Sequence, residues 1–366
     1  MRPIDQDGSG FAYSGSEALA AEVVYFDAPA GDDGEGPPQA VRSTVAAETE
    51  KLEALLALSF DPSGRWEKAE DAAEAGRLAA RIGEGYEVAV GELIDRIGPY
   101  CAYCGSAEPT GLRADPVKPP ALFPREAFDP GNLLLACETC RARKLEYLTR
   151  AAGALSSVRG PVQPIWPHTY WKGLPSTARL PLRCRLFEGR GGGAADWRPV
   201  STDRARELVV ADRERRVEAA GDGEGGPHLV VRPRPARPGA PAVEPVHLAA
   251  LIEADDARTA DGGAPQDTID MLDLNCRAGD PDDPRLELRT RAYLTALDYW
   301  ERTDSIERGP AADEELRAAV DGMLDSAIRA TGFWLVWLQV FRDTPGFQQR
   351  LAGLLPGTAA TPAWEV

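Results

Sequence analysis

The chain has 366 residues, of which 43% are hydrophobic, so it is long enough for two or three domains with a sizeable buried core. Its formal net charge is −17, whereas proteins that coat nucleic acid without sequence preference are usually basic, so the overall balance argues against that class. The N-terminus is polar, and no apolar run approaches the roughly 18 residues of a membrane-spanning helix. We therefore expect a cytoplasmic protein that does not enter a membrane.

Residues 1–98 are predicted to form an N-terminal helical region. It begins with a strand at residues 22–26, followed by an acidic loop rich in glycine and proline. Apolar residues recur on one face over residues 41–59, which predicts a helix, and residues 66–97 predict one or two more. Because these helices lead directly into the first pair of cysteines, we expect them to brace the segment that follows.

Four of the six cysteines form two Cys-x-x-Cys pairs, Cys101 with Cys104 and Cys137 with Cys140. Thiolates at positions i and i+3 of a tight turn can both face one ion, and two such turns complete the tetrahedron of a structural Zn²⁺ site. Gly105 follows the first pair, where the chain must turn. The alternative is four unrelated thiols or disulfides, but paired spacing in an acidic chain without a secretion signal favours a metal.

The two cysteine pairs belong to a predicted module over residues 99–150. Short strands are predicted at Leu112–Asp115 and Leu133–Ala136, and several prolines keep the connection between them irregular. A helix is predicted over residues 138–150. The predicted order is a cysteine pair, two strands, a second cysteine pair and a helix.

This order resembles the zinc-stabilised HNH endonuclease family, whose fold is called ββα-metal. Family members carry Asp-His-Val-x-Pro after the first cysteine pair, Asn-Leu before a short apolar strand, and a helix with Asn and Lys after the second pair. The resemblance implies hydrolysis of DNA phosphodiesters, with Asp115 and Asn132 as ligands of Mg²⁺ or Mn²⁺. The matching residues are Asp115-Pro116-Val117-Lys118-Pro119, Asn132-Leu133-Leu134-Leu135-Ala136 and Lys144.

Two residues depart from the family pattern. Pro116 stands where the family has its general-base histidine, and Arg141 stands where the family usually has Asn or His. Because proline has no titratable group, it cannot take a proton from water, and the resemblance implies a degenerate active site. An active endonuclease and an inactive subunit that positions DNA or serves assembly both stay open. A third interpretation, which the net charge of −17 supports, is a zinc-ribbon scaffold for protein interactions.

Charge changes sign after the second cysteine pair. Residues 141–190 contain ten Lys or Arg and two acidic residues, whereas residues 1–100 contain 20 acidic and 8 basic residues. This asymmetry predicts a surface that faces phosphate, with Arg141, Arg143 and Lys144 contacting DNA. The alternative is a basic surface that docks on the acidic helices of the same chain. Aromatic and polar residues interleave in this stretch, namely Trp166, His168, Tyr170 and Trp171.

Residues 151–265 are predicted to form a basic, loop-rich region, with a surface helix at residues 204–217 and one strand at residues 228–232. Residues 266–366 are predicted to form a C-terminal helical region. The last of its three strongest helices is rich in Trp and Phe and is expected to pack in the core, with a partner-binding face as the alternative. These helices span residues 286–301, 313–330 and 333–341.

A weaker resemblance covers the C-terminal half. A Thr-Ile-x-x-Leu-x-Leu-Asn element followed by a helix rich in Leu and Arg is similar to the HNH subunit of Septu and related retron anti-phage systems. That subunit works beside an ATPase, so the resemblance implies an ATPase partner in a defence system. The residues that fit are Thr268, Ile269, Leu272, Leu274, Asn275, Leu286 and Arg291.

These patterns predict an α+β fold that is mostly α-helical, with a small ββα-metal zinc module embedded between helical segments. The predicted function is that of an HNH endonuclease-family protein that acts on DNA in an anti-phage system, with structural Zn²⁺ and a degenerate active site. The oligomeric state does not follow from any of these patterns.

Overall fold

The computed structural model has the predicted fold class, α+β and mostly helical, with small antiparallel sheets. None of the helices among the described residues is long and apolar enough to cross a membrane. The chain divides into two compact units, and the cysteine-containing module contributes residues to both. The structure describes residues 19–27, 39–61, 65–66, 68–107, 111–116, 120, 124, 127–128, 132–144, 182–189, 197–214, 217–219, 229–231, 246–254, 264–275, 283–308 and 314–354.

The N-terminal unit holds the described residues up to Pro99 and those between 111 and 136. Antiparallel strands β1 and β2 precede helix α1, and the short pair β3 and β4 precedes helices α2 and α3. The bounds are β1 Glu22–Asp27, β2 Gln39–Thr44, α1 Val45–Ser59, β3 Phe60–Asp61, β4 Arg65–Trp66, α2 Ala69–Glu84 and α3 Tyr86–Ile97.

The start of α1 corrects the predicted helix at residues 41–59. Residues 41–44 belong to β2, and the helix begins only at Val45. The hydroxyl of Thr44 accepts a hydrogen bond from the Ala47 N–H at 3.2 Å, and the Val45 N–H donates to the Ala21 carbonyl at 3.1 Å. A threonine that satisfies a free N–H of the first turn is a helix N-cap, so the strand ends where the cap begins.

Strands β5, Arg113–Pro116, and β6, Leu133–Ala136, form an antiparallel ribbon in the same unit. The prediction of β6 is confirmed residue for residue, and β5 lies one residue later than predicted. All four residues of β6 are buried, and Arg113 pairs with Glu87 of α3 at 2.6 Å. The ribbon therefore packs against a predicted bracing helix.

The C-terminal unit contains a five-stranded antiparallel sheet within the region predicted to be loop-rich. Its order is β8-β7-β11-β10-β9, and the strand predicted at residues 228–232 is β10. Helix α4, Thr202–Arg213, confirms a surface helix in this region, but the predicted end at residue 217 is wrong because that residue belongs to β9. The strands are β7 Leu182–Gly189, β8 Arg198–Pro199, β9 Val217–Ala219, β10 Leu229–Val231 and β11 Val246–Ala254.

Side chains complete the edge of β11 that β10 leaves uncovered. Strand β10 pairs only with residues 246–248 of β11. Beyond that point the Asn275 amide donates to the Ile252 carbonyl and accepts from the Ile252 N–H, both at 2.8 Å. The Ala250 N–H donates to the Thr290 hydroxyl at 2.9 Å, and Arg289 donates to the Ala250 carbonyl at 2.7 Å. These bonds satisfy the backbone groups of a buried strand edge.

Five further helices lie among the described residues of the C-terminal unit, and the expectation of a core helix near residues 333–341 is confirmed. Trp334 and Trp337 of α8 are almost fully buried, and the Phe341 and Phe347 rings stack at 4.2 Å. The helices are α5 Ala264–Met271, α6 Arg285–Arg308, α7 Glu314–Thr331, α8 Trp334–Val340 and α9 Phe347–Leu354.

Candidate metal centre

The first cysteine pair lies in a tight turn over residues 101–107. The Gly105 N–H donates to the Cys101 carbonyl at 2.9 Å, and the Cys101 N–H donates to the Ser106 carbonyl at 3.0 Å. Gly105 has a φ of 82°, in the left-handed region that other residues rarely adopt. The glycine that the sequence places after Cys104 thus lets the chain return toward Cys101.

The junction between α7 and α8 holds this turn from the outside. The Phe333 N–H donates to the Gly105 carbonyl at 2.5 Å, and Ser106 forms a β-bridge with Gly332. A Cβ atom on Gly332 would lie 2.3 Å from the Gly105 oxygen, so only glycine fits there. Helices near the C-terminus therefore shape a turn that lies more than two hundred residues earlier in the chain.

The second cysteine pair lies where β6 ends and a helical segment over residues 138–144 begins. The Arg141 N–H donates to the Cys137 carbonyl at 3.1 Å, so Cys137 starts the first helical turn and Cys140 lies within it. All four cysteines are buried, and their Sγ atoms lie within 4.8 Å of one another. The structure thus brings together the four cysteines that the sequence predicted as metal ligands.

The geometry of this cluster fits a tetrahedral metal ion. Zn–S bonds of about 2.3 Å place neighbouring sulfurs about 3.8 Å apart in a tetrahedron. The Sγ atoms of Cys104 and Cys137 are 3.9 Å apart, and neither residue forms a disulfide. A divalent cation at the centre of the four sulfurs is therefore compatible with the positions that they occupy.

The charge of the cluster also favours a cation. Hydrogen bonds from Cys101, Cys137 and Cys140 hold the pKa of Cys104 well below its ordinary value. The same close packing, together with burial, raises the pKa of Cys137 and Cys140. Without a cation, one thiolate suppresses ionisation of its neighbours because like charges repel at this distance. A bound divalent ion would offset that repulsion and allow all four thiols to ionise.

Two residues that the sequence analysis missed contact the sulfurs. The Ser106 hydroxyl lies 3.1 Å from Cys104 Sγ, and the Arg285 guanidinium lies 3.4 Å from Cys140 Sγ. Ser106 lies within the first turn, so its proximity to Cys104 could have been inferred from sequence. Arg285 lies at the start of α6, and no spacing rule connects it with Cys140.

Asp115 lies in β5 opposite Leu134, and Asn132 immediately precedes β6. Both are buried, at 7% and 4% exposure. The two predicted oxygen ligands thus lie in or next to the β5–β6 ribbon, and their role as ligands of a shared cation stays a prediction.

Pro116 is the last residue of β5 and pairs with Leu133. No titratable group thus follows Asp115 in the strand. Of the three histidines, His247 is the one that the structure describes, and it is buried on β11 at 5% exposure. His168, in the basic stretch, lies outside the described residues, as do Trp166, Tyr170 and Trp171.

The predicted DNA-contacting residues occupy different environments. Arg141 is partly exposed and pairs with Glu138 at 3.3 Å, and Arg143 lies 3.9 Å from the carboxylate of Asp273. Lys144 departs from the prediction, because it is 4% exposed and donates to the Tyr103 hydroxyl at 3.2 Å. The ammonium group of Lys144 is thus buried beside the ring of Tyr103, so Lys144 does not offer a surface charge to phosphate.

Comparisons of this chain with protein-family models, with curated proteins and with solved structures find no match.

Proposed function

We propose that this chain is a zinc protein whose four-cysteine centre stabilises the fold. The observation that carries the proposal is the burial of four cysteine sulfurs within 4.8 Å of one another. Soft thiolate ligands in a tetrahedral set suit Zn²⁺ or iron. A multi-iron cluster inserts its own sulfide core between the ligands and spreads them apart, so the closeness of all four sulfurs, within 4.8 Å of one another, favours a single ion.

The centre has the composition of a structural site. Catalytic zinc sites keep one position open for water or substrate, whereas four protein sulfurs fill all the positions of a tetrahedron. The sulfurs are buried, which further limits the approach of a substrate. We therefore assign the ion a role in folding and not in catalysis.

Metal analysis of the full chain tests this assignment. We expect about one Zn²⁺ per chain by mass spectrometry of the metal content, and a tetrahedral thiolate spectrum after replacement by Co²⁺. A folded protein without metal would overturn the proposal. Iron in place of zinc would retain the site but change its ion.

We further propose that the module derives from the HNH family and acts at DNA with a degenerate active site. The resemblance of residues 101–144 supports this, and so does the burial of Asp115 and Asn132 at the β5–β6 ribbon. Within this proposal the chain works in the cytoplasm, in an anti-phage system beside an ATPase partner. Mg²⁺ or Mn²⁺ would be held by Asp115 and Asn132.

Two observations favour a positioning or assembly role over cleavage. Pro116 cannot accept a proton, and general-base catalysis typically contributes roughly 10²–10⁴-fold to the rate. The burial of Lys144 removes one of the three predicted phosphate contacts. We therefore favour an inactive HNH-derived subunit that positions DNA or a partner.

A plasmid-cleavage assay with Mg²⁺ and with Mn²⁺ separates these roles. We expect no cleavage by the natural chain and metal-dependent nicking by Pro116→His, because the new imidazole would follow the retained Asp115. The gain should be about 10²–10⁴-fold, the usual contribution of a general base. Asp115→Ala in the Pro116→His background is the matched control and should abolish the gain.

The other outcomes lead to different conclusions. Cleavage by the natural chain that disappears in Asp115→Ala would show an active nuclease with another base. Binding of a labelled DNA duplex is measured alongside cleavage. If neither protein cuts or binds DNA, the nucleic-acid role is wrong and the zinc module is an interaction scaffold.

A further inference from the structure

Arg285 is a buried cation in contact with the four-cysteine centre. It is the first residue of α6 and only 3% exposed. Its Nη1 atom lies 3.4 Å from the Sγ atom of Cys140, within hydrogen-bond distance for sulfur. A buried guanidinium needs acceptors for its N–H groups, so the identity of those acceptors shows what the residue does.

The guanidinium of Arg285 has five N–H donors, and five acceptor atoms surround it. Nε and one N–H of Nη2 donate to the Asp283 carboxylate, at 2.9 and 2.6 Å. The second N–H of Nη2 donates to the Asp273 carbonyl at 3.1 Å, and one N–H of Nη1 donates to the Leu272 carbonyl at 2.9 Å. The remaining N–H of Nη1 points at Cys140.

The Cys140 sulfur is therefore the fifth acceptor, and every N–H group of the Arg285 guanidinium has a partner. A neutral thiol accepts hydrogen bonds weakly, whereas a thiolate accepts them strongly, more so from a charged donor. The contact between Arg285 and Cys140 thus suits a centre in which Cys140 is ionised, as it is when a cation is bound.

We propose that Arg285 is a positioning residue of the four-cysteine centre, which holds the Cys140 thiolate by a charge-assisted hydrogen bond and retains the bound metal. The proposal rests on the proposed binding of Zn²⁺. Four thiolates and one Zn²⁺ carry net negative charge, and a guanidinium against one sulfur offsets part of it. Partners of this kind orient a ligand, and their removal weakens the metal site.

The same side chain connects the metal to the five-stranded sheet. Arg285 donates to the carbonyls of Leu272 and Asp273, and the turn that contains them also includes Asn275. Asn275 in turn satisfies the edge of β11 through its two bonds with Ile252. Metal binding is therefore expected to stabilise this turn as well as the cysteines.

Arg289 provides a matched control one helical turn further along α6. It is also buried, at 1% exposure, and it donates to the carbonyls of Ala250 and Leu274 and to the side chain of Asn275. None of these acceptors is a cysteine. Its replacement should destabilise the same turn and sheet edge without altering the charge at the sulfur.

The experiment compares the full natural chain with Arg285→Met, Arg285→Lys and Arg289→Met. Zinc affinity is measured by competition with a chromophoric chelator, and the sulfur-to-metal charge-transfer band is measured after Co²⁺ replacement. Arg285→Met should lower zinc affinity by roughly 10–100-fold. It should also move the band to lower energy, because a thiolate that loses a hydrogen bond gives up charge more easily.

The variants keep the test decisive. Arg285→Lys retains a cation and should recover part of the zinc affinity, although an ammonium group cannot reproduce the rigid, planar arrangement of the guanidinium donors. If Arg285→Met does not fold, the double variant with Asp283→Asn and Arg285→Met is measured in its place, because it removes both charges of the buried pair. Arg289→Met should leave the charge-transfer band unmoved.

Two results overturn the proposal in distinguishable ways. If the natural chain binds zinc but the Arg285 and Arg289 variants lose the same affinity with an unmoved band, Arg285 has only a packing role. If the natural folded chain binds no Zn²⁺ or Co²⁺, the proposed metal centre itself is wrong, and the inference about Arg285 is wrong with it.

Discussion

The N-terminal unit buries the carboxylate of Glu48 between two cations, whereas the C-terminal unit buries the guanidinium of Arg285 against a cluster of four cysteines. Lys51 and Arg81 donate to Glu48 at 2.7 and 3.0 Å, and Arg81 also stacks over the ring of Tyr25 at 3.6 Å. The negative charge of Glu48 is thus offset by the side chains of Lys51 and Arg81 alone. The cysteine cluster needs a metal to hold four thiolates, because Arg285 is a single cation and cannot offset four negative charges.

This difference indicates that the two units depend on different conditions. Removal of the metal by a chelator should unfold the two cysteine turns and leave the contacts between α1 and α2 intact. Acid should act on both, because it protonates Glu48 as well as metal-bound thiolates. Each unit can therefore be perturbed by itself, with a control variant in the same unit.

The largest effect is expected for Cys137→Ser. Binding free energy at a structural zinc site is folding free energy, on the order of 10 kcal/mol, so the loss of one ligand should leave the metal-binding turns unfolded. Metal content and far-UV circular dichroism measure the result. Cys184→Ser is the control, since Cys184 is fully buried on β7 but outside the cluster, and it should retain zinc. Full zinc occupancy in Cys137→Ser would contradict the four-sulfur site.

A smaller but substantial effect is expected for Gly332→Ala. A Cβ there would lie 2.3 Å from the Gly105 oxygen and 2.8 Å from the Ala107 nitrogen, and the backbone has a φ of 66°. Backbone strain of this kind costs about 1–3 kcal/mol, and the steric conflict adds to it. Because the conflict lies on the first cysteine turn, zinc affinity should fall together with the thermal unfolding temperature.

Gly322→Ala is the matched control for that change. Gly322 lies within α7, and a Cβ there would meet nothing within 4 Å. Alanine is more favourable than glycine in a helix interior by roughly 1 kcal/mol, so this variant should be as stable as the natural chain or more stable. Equal losses in both variants would contradict the close approach of Gly332 to the cysteine turn.

The third effect concerns pH and the N-terminal unit. Burial raises the pKa of Glu48, but hydrogen bonds from Lys51, Ser43 and Arg81 outweigh it, so the pKa lies below its ordinary value. A carboxylate with a lowered folded-state pKa stabilises the fold above its unfolded pKa, and this stabilisation disappears as the pH falls through the folded value.

Glu48→Gln should therefore be less stable than the natural chain at neutral pH, by about 1.5–3 kcal/mol, because the half-exposed Lys51 and the partly exposed Arg81 lose a charged hydrogen-bond partner. The difference should shrink as the pH approaches and passes below the folded pKa. Urea unfolding at a series of pH values measures it, with Glu74→Gln as the control, since Glu74 forms an exposed pair with Arg77. A difference that is independent of pH would contradict the charged state of Glu48.

Local patterns predicted the parts of the molecule whose signal lies within a few residues. Cys-x-x-Cys spacing, the apolar run of β6 and the helical periodicity of α7 each depend on neighbouring positions, and all three are present in the structure. The strand predicted at residues 228–232 is present as β10, whereas β8 and β9 span two or three residues each, too few to show an alternation. Strand β7 alternates arginine with buried apolar residues, so its pattern was interpreted as part of a basic surface.

The Thr-Ile-x-x-Leu-x-Leu-Asn element at residues 268–275 has a structural role that its pattern does not reveal. Thr268, Leu272, Leu274 and Asn275 were singled out by resemblance, and all four are buried. Asn275 satisfies the edge of β11, a task that only the tertiary structure reveals. Lys144 illustrates the opposite case, because a lysine after a cysteine pair suggests a surface charge, yet the ring of Tyr103 lies 5.6 Å from its ammonium.

By itself, the sequence determined the fold class, the four cysteines and the absence of a titratable group at Pro116, because each is a property of composition or of short spacing. Only the tertiary structure decided that Arg285 contacts Cys140 and that Gly332 lies against Gly105. Those contacts join residues far apart in the chain. Their formation depends on how the helices and the sheet pack, and no local pattern encodes that packing.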